Sequence, residues 1–280
     1  MITAIAPAKI NLFLEITGKR YDGYHNIETI MQTVGLSDKI TFELAADNNV
    51  SLNVSSKDLN IPVDSRNIVV KAALALKEKF NIKQGVKITL EKNIPSGAGL
   101  GGGSSDAAET LKALIKLWNI KIENSELSAL AAKLGADVPF FLTGSAALCE
   151  GIGEIITPIN TAKNLSLVIV KPSVSVPTPE AYKKVKLPFN NPQSVKAIKT
   201  AIETGCFGFK EAKELCFNRF EELVFGDYPE IAKVKKILTD AGCFAMMSGS
   251  GSAVFGFFSP SDKSAVENAV ANLNHWFITA

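Results

Sequence analysis

Apolar and polar residues alternate through "ITAIAPAKINLFLEIT" (2–17), the two-residue period of a strand with one buried face, interrupted early by Pro7. "DKITFEL" (38–44), "VSLNV" (50–54) and "VKITLEK" (86–92) predict further strands. The period lengthens in "NIVVKAALALKEKFNI" (67–82), where helical spacing coincides with good helix formers. A second helix is predicted from about Ser105 to Trp118, and a third over "SELSALAAKLG", ending at Gly135. "SAALCE" and "LSLVIVKP" (165–172) read as strands. Beyond them "TPEAYKKV" starts a helix, and two longer amphipathic helices follow near 210–225 and 228–241. "CFAMMSGSGSAVFGFFS" (243–259) predicts two strands around a glycine-serine turn, and "DKSAVENAVANLN" a closing helix. A boundary within "ITPINTAKN" divides the chain into expected domains 1–158 and 159–280. Strand runs mixed with helix pairs point to an α+β architecture rather than a regular βαβ series.

Composition narrows the functional classes. With 280 residues and 46% apolar side chains, the chain can bury a substantial core. Its net charge of +2 gives no reason to expect a nucleic-acid or membrane partner. No apolar run approaches the roughly 18 residues of a membrane span. The N-terminus reads directly into the first strand pattern with no targeting signal, so a cytoplasmic location is expected. Cys149, Cys206, Cys216 and Cys243 fall in no CxxC spacing, and the only histidines are His25 and His275. This argues against a zinc site and against a Ser-His-Asp or Cys-His hydrolase, and fits a reducing compartment.

The densest chemical signal is "KNIPSGAGLGGGSSDAAETLKAL" (92–114), where Gly97, Gly99, Gly101, Gly102 and Gly103 stand directly before a predicted helix. Five glycines are entropically costly in a mere connection. They suit an anion site, in which backbone N–H groups and a helix N-terminus approach a phosphate closely. The loop lacks the GK[ST] ending of a P-loop, and its formal GxGxxG match is followed by "NIKIEN", a poor buried strand for a dinucleotide fold. Asp106 with Glu109 also fits an acidic variant of a capping box.

Other candidates carry ordinary readings beside functional ones. Lys9 and Asn11 share a face of the first strand, where Lys9 reads as an exposed edge lysine despite its apolar neighbours. Asp137 in "GADVPFF" and Asn67 in "NIVVKAA" both read as helix N-caps. "YDGYH" (21–25) holds a common turn dipeptide, Tyr182 suits a helix face turned to the core, and "SGSGS" (248–252) suits a hairpin turn.

Three stretches together resemble one family. They are "PAKINLFLEITGKRYDGYH" (7–25), "IPSGAGLGGGSSDAA" (94–108) and "MMSGSGSAVFG" (246–256), and they resemble the GHMP kinases in order and spacing. The resemblance implies a two-domain α+β fold with ATP in a cleft between the domains and the central loop around its phosphates. "GKRxDGYH" narrows it to the branch whose acceptor is the 2-hydroxyl of 4-diphosphocytidyl-2-C-methyl-D-erythritol, in non-mevalonate isoprenoid synthesis.

The resemblance also implies roles. Gly97 through Gly103 would offer donors to the β- and γ-phosphates, and Ser104 and Ser105 would add hydroxyls or help place Mg²⁺, whose ligands are otherwise unassigned. Lys9 would favour the charge developing in transfer, and Asp137 would accept or orient the hydroxyl proton. Asn11 would contact the alcohol. Tyr24 and Tyr182 would sandwich the cytosine while His25 reads its edge, and Thr178 would touch the substrate. Asn67 and Lys92 would line the adenine pocket, and Gly249 and Gly251 would let the second turn approach closely. One departure stands in "CFNRFEEL" (216–223), where Arg219 follows an asparagine that related enzymes often follow with an acid. Another kinase of this family, acting on homoserine, a sugar or mevalonate, remains an alternative. A non-catalytic nucleotide-binding regulator or, more remotely, an NAD-binding dehydrogenase also remains. Monomer and homodimer are both open.

Overall fold

The computed structural model describes residues 1–56, 60–163, 165–188, 194–273 and 276–279; His275 and Asn274, the end of the expected closing helix, lie outside them. In chain order the elements are β1 (Ile2–Lys19), β2 (His25–Ala45), β3 (Val50–Ser56), α1 (Ile68–Phe80), β4 (Gly85–Lys92), α2 (Gly102–Leu117), α3 (Asn124–Leu134), α4 (Val138–Thr143), β5 (Ala146–Glu150), β6 (Ile155–Pro158), β7 (Ser166–Val170), α5 (Thr178–Lys183), α6 (Val195–Glu203), α7 (Phe209–Leu215), β8 (Phe217–Asn218), α8 (Phe220–Val224), α9 (Pro229–Asp240), β9 (Phe244–Met247), β10 (Val254–Phe258), α10 (Lys263–Val270) and β11 (Trp276–Thr279). They divide into two compact units. The first holds Met1–Ala8, Val34–Ser96 and Gly101–Gly144; the second holds Lys9–Thr33, Gly97–Leu100 and Ser145–Ala280. The chain therefore passes from one unit to the other inside β1, inside β2, twice at the glycine loop and between α4 and β5.

In the first unit β4 pairs parallel with β3, Ile88 opposite Leu52, and antiparallel with the end of β2, Ile88 opposite Phe42. Phe42, Ile88, Leu76, Leu111 and Phe140 are all fully or almost fully buried, so this sheet and its helices share an apolar interior. Helix α2 packs against α1 and α4. Helix α1 opens with Asn67 accepting from Val69 N at 2.9 Å and closes on Asn81 in the left-handed conformation, φ 52°.

The second unit contains a four-stranded antiparallel sheet in the order β11-β7-β10-β9. Every residue of β7 and β10 is close to fully buried, which continuous apolar runs such as "VFGFF" require. Val168, Val170, Val254 and Phe258 join Val234, Leu238, Val266 and Val270 of α9 and α10 in one core. The alternate residues Leu167, Ile169, Phe255 and Phe257 are buried on the opposite sheet face. In the same unit β8 pairs parallel with β1, Phe13 opposite Phe217, and the start of β2 pairs with β5, Thr29 opposite Cys149.

Several expectations need correcting. Strand β2 begins at His25, thirteen residues before Asp38, because consecutive Ile30 and Met31 are both buried and erase the alternation that would have revealed it. The single helix expected over 210–225 is broken into α7 and α8 by β8, whose residues leave the helix to pair with β1. Helix α6 and strand β6 were not anticipated, and β6 occupies part of the expected linker. Helix α2 starts at Gly102, so Asp106 lies within it, buried, and does not cap it; Glu109 pairs with Lys112 at 2.7 Å instead.

Candidate active site

Within the first unit, the start of α2 is built for close approach. Its cap residue Gly101 has φ 68°, a conformation that costs glycine nothing. A Cβ on Gly102 would stand 2.8 Å from Ile94 Cγ2 and 2.9 Å from Lys92 Nζ. Gly103, Ser104 and Ser105 complete the first turn, whose N–H groups no capping side chain takes up. Ser105 Oγ and Asp106 Oδ1 are buried with no hydrogen-bond partner. Such orphaned polar atoms beside a helix N-terminus suit a polar ligand.

Beneath this turn Lys92, 8% exposed, donates to Asp38 Oδ2 and, at 2.9 Å, to Asp106 Oδ2. The other Asp38 oxygen accepts from Asn93 N at 2.6 Å and Ile94 N at 2.8 Å. The ammonium thus ties the end of β4, the entry of the loop and the start of α2 together. Burial pushes the Asp106 carboxyl up to about 8, with Lys92 opposing the shift and Asp38 adding to it. The ordinary reading of Asn67 is realised: besides capping α1, its amide donates to Pro62 O at 2.7 Å. That of Asp137 is not. Asp137 stands before α4 with helical φ −83° and ψ −10°, and its side chain makes no capping bond.

Within the second unit, Lys9 and Asn11 lie on one face of β1, and both are buried, Lys9 at 4% exposure. The expected exposed lysine is thereby overturned: neighbouring segments cover this face. Lys9 Nζ donates to Asn11 Oδ1 at 2.7 Å, Asn11 Nδ2 donates to Thr29 Oγ1 at 2.8 Å, and Thr29 Oγ1 donates to Phe13 O at 2.6 Å. This relay fixes which end of the Asn11 amide faces the lysine.

The two glycine-rich segments meet at the same place. Lys9 N donates to Leu100 O at 2.9 Å, and Ala253 N to Ala98 O at 3.0 Å. Ser248 Oγ donates to Gly99 O at 3.1 Å. A Cβ on Gly99, φ 74°, would fall 2.1 Å from Ser248 O, and one on Gly249 would fall 3.4 Å from Lys9 Nζ and 3.5 Å from Asn11 Oδ1. Residues 248–253 do connect β9 to β10 as a hairpin, as the plain reading had it. That hairpin also brings Gly249 against Lys9, Asn11 and Gly99. Gly251, φ 89°, faces Met247 rather than the lysine. Gly97 abuts Ser175.

Further along this unit, Thr178 Oγ1 lies 2.8 Å from Ser250 Oγ. His25 stacks on Tyr182 with centroids 5.2 Å apart and planes 19° apart, and Tyr182 meets Phe220 edge-on at 4.9 Å. Burial, then the charge of Lys19, hold His25 below its ordinary 6.5. Tyr24 is 61% exposed, its N–H bonded to Asp22 at 3.1 Å. Thr29 and Asp38 were not singled out from sequence: Thr29 lies in the unread part of β2, and Asp38 gives no local signal.

Residues 67–145 match the model of the GHMP kinase N-terminal domain and residues 208–277 that of the GHMP kinase C-terminal domain. The chain is 44% identical over 256 residues to a Caldicellulosiruptor bescii protein named 4-diphosphocytidyl-2-C-methyl-D-erythritol kinase, covering 90% of this chain and 88% of that one. A Bacillus cereus protein of the same name is 43% identical over 253 residues, covering 90% and 86%. The crystal structure of a 4-(cytidine 5'-diphospho)-2C-methyl-D-erythritol kinase superposes with a TM-score of 0.82 at 34% identity, covering 99% of this chain and 98% of that one. A homoserine kinase from Cytophaga hutchinsonii shares the fold, with a TM-score of 0.78 at 20% identity over 100% of this chain and 94% of that one. A buried lysine–asparagine pair against two glycine-rich segments, in a chain matching both domain models and these relatives, makes the protein a member of the GHMP kinase family.

Proposed function

We propose that this kinase transfers the γ-phosphate of ATP to the 2-hydroxyl of 4-diphosphocytidyl-2-C-methyl-D-erythritol. The observation that carries the reading is the Lys9–Asn11 pair, buried and 2.7 Å apart against Gly99 and Gly249, in a chain 44% identical to a relative bearing that kinase name. The acceptor oxygen forms the new P–O bond, the bond from the γ-phosphorus to the β–γ bridging oxygen breaks, and ADP leaves with that oxygen's charge. Asp137 takes the hydroxyl proton. Lys9 favours the negative charge that builds during transfer, and Asn11, oriented by Lys9 and Thr29, contacts the alcohol.

Gly97 to Gly103 supply main-chain donors to the triphosphate, and Asn67 and Lys92 line the adenine pocket. Among the described residues no group of three His, Cys, Asp or Glu side chains could hold a metal ion. Mg²⁺ carried on nucleotide phosphates asks for only one or two protein oxygens, and the orphaned Ser105 Oγ fits that demand. Ser104 and Ser105 would hold it, and when bound it would neutralise phosphate charge. Tyr24, His25 and Tyr182 serve the cytosine, Thr178 the adjoining substrate, and Gly249 the close wall. The reaction belongs to the cytoplasm.

ADP release from the purified protein, measured with the cytidyl substrate, homoserine, mevalonate and galactose in parallel, tests the reading. Turnover confined to the cytidyl substrate is expected. Preferred turnover of another alcohol overturns the substrate assignment, and none with any of them overturns the kinase reading.

A further inference from the structure

The segment "CFNRFEEL" stood apart from the three motifs, yet the fold brings its asparagine to the second glycine turn. Asn218, 3% exposed, ends β8 beside β1. Its Nδ2 donates to Met247 O at 2.7 Å and to Gly249 O at 2.8 Å, while its Oδ1 accepts from Phe220 N at 3.0 Å. Both amide protons and the carbonyl are engaged, so an amide meets this site's needs. The peptide following Gly249 is trans, so turning its carbonyl to Asn218 turns the Ser250 N–H the other way. The same Gly249 lies against Lys9 and Asn11.

The residues after Asn218 make bonds of their own to β9 and β1. Glu221 Oε1 accepts from Met247 N at 2.8 Å, and Arg219 N donates to Leu14 O at 2.9 Å. Arg219 also forms a fork with Glu15, Nε to Oε1 at 2.9 Å and Nη2 to Oε2 at 2.8 Å, which raises the guanidinium's affinity for its proton. The departure noted in the sequence is thus a buried ion pair to β1, the strand that carries Lys9.

We propose that Asn218 is a positioning residue for phosphoryl transfer, acting through the 247–250 backbone on Lys9 and Asn11. The proposal rests on the reading that the second glycine turn borders the reacting groups. Aspartate is the discriminating replacement: it keeps the shape but presents oxygens, not protons, to two carbonyls.

Asn218→Asp is expected to lower kcat by about tenfold or more while the Kd of a fluorescent ATP analogue stays within about threefold. Arg219→Met, which strips the fork but leaves the bonds to Met247 and Gly249, is the control. It should lower Tm yet keep kcat within about threefold of the parent at a temperature where it is folded. Asn218→Ala gives the same readout should the aspartate variant be insoluble. Parental kcat in a folded Asn218 variant overturns the proposal. So do kcat losses in both positions that track their Tm losses, since that is the mark of a merely structural residue. Absence of turnover in the parent protein instead refutes the function on which the proposal rests, and is read before any variant is made.

Discussion

Lys9 Nζ donates to Asn11 Oδ1 at 2.7 Å, two residues along one strand, with both side chains out of water. An ammonium is costly to bury and needs full engagement. Placing it beside an amide oriented by Thr29 sets both groups before any substrate arrives. Lys9→Met should therefore lower kcat by about a hundredfold or more, the scale of losing one electrostatic stabiliser. It should leave the protein folded by circular dichroism. A loss of less than about fivefold would take Lys9 out of the transfer step.

Asp137→Asn keeps shape and removes the proposed proton acceptor. Turnover is expected to fall by about 10²- to 10⁴-fold, with ATP affinity by calorimetry unchanged. Near-parental turnover would remove Asp137 from the role of base.

Gly99→Ala should cost about 2–4 kcal/mol of stability, because the added carbon meets Ser248 O at 2.1 Å and φ is 74°. Urea unfolding reads this directly. A variant as stable as the parent would mean that the loop and the turn are not held in contact in solution.

Tyr24 is exposed, so truncating it should hardly affect folding. If its ring stacks on cytosine, Tyr24→Ala should weaken acceptor binding by about 1–3 kcal/mol, roughly five- to 150-fold in KM, and leave ATP affinity alone. An unchanged KM would undo the cytosine assignment.

His25 supplies a pH signature. Its folded-state pKa lies below the ordinary 6.5, chiefly through burial. The folded protein thus gives up this proton more readily than the unfolded chain. The stability that the neutral ring contributes is present above about pH 6.5 and is lost as pH falls through that range. A proton NMR titration of the His25 ring, assigned with a His275→Gln variant, should give a midpoint below 6.5. A midpoint above that value would contradict the partly buried stack on Tyr182.

The legible parts of the molecule were those with local chemistry. The helix formers of α1 and the glycine run before α2 announced themselves, since propensity and backbone freedom are written residue by residue. The shared face of Lys9 and Asn11 followed from the two-residue period, but their burial did not, because it depends on segments distant in the chain. The first half of β2 was hidden for a related reason: a strand covered on both faces loses its alternation. The partners of Asn218 and Asp38 were invisible because each serves main-chain groups brought close only by folding, Asn218 across 29 and 31 residues and Asp38 across 55 and 56.

The bond from Ala253 N to Ala98 O and the approach of Gly99 to Ser248 O involve main-chain atoms, which every amino acid carries. Exchanging the surrounding side chains leaves that latch fastened, provided position 99 gains no Cβ. Efforts to redirect this enzyme toward a different alcohol thus have a fixed frame to work on, because the contact between positions 98–99 and 248–253 does not depend on which side chains surround it.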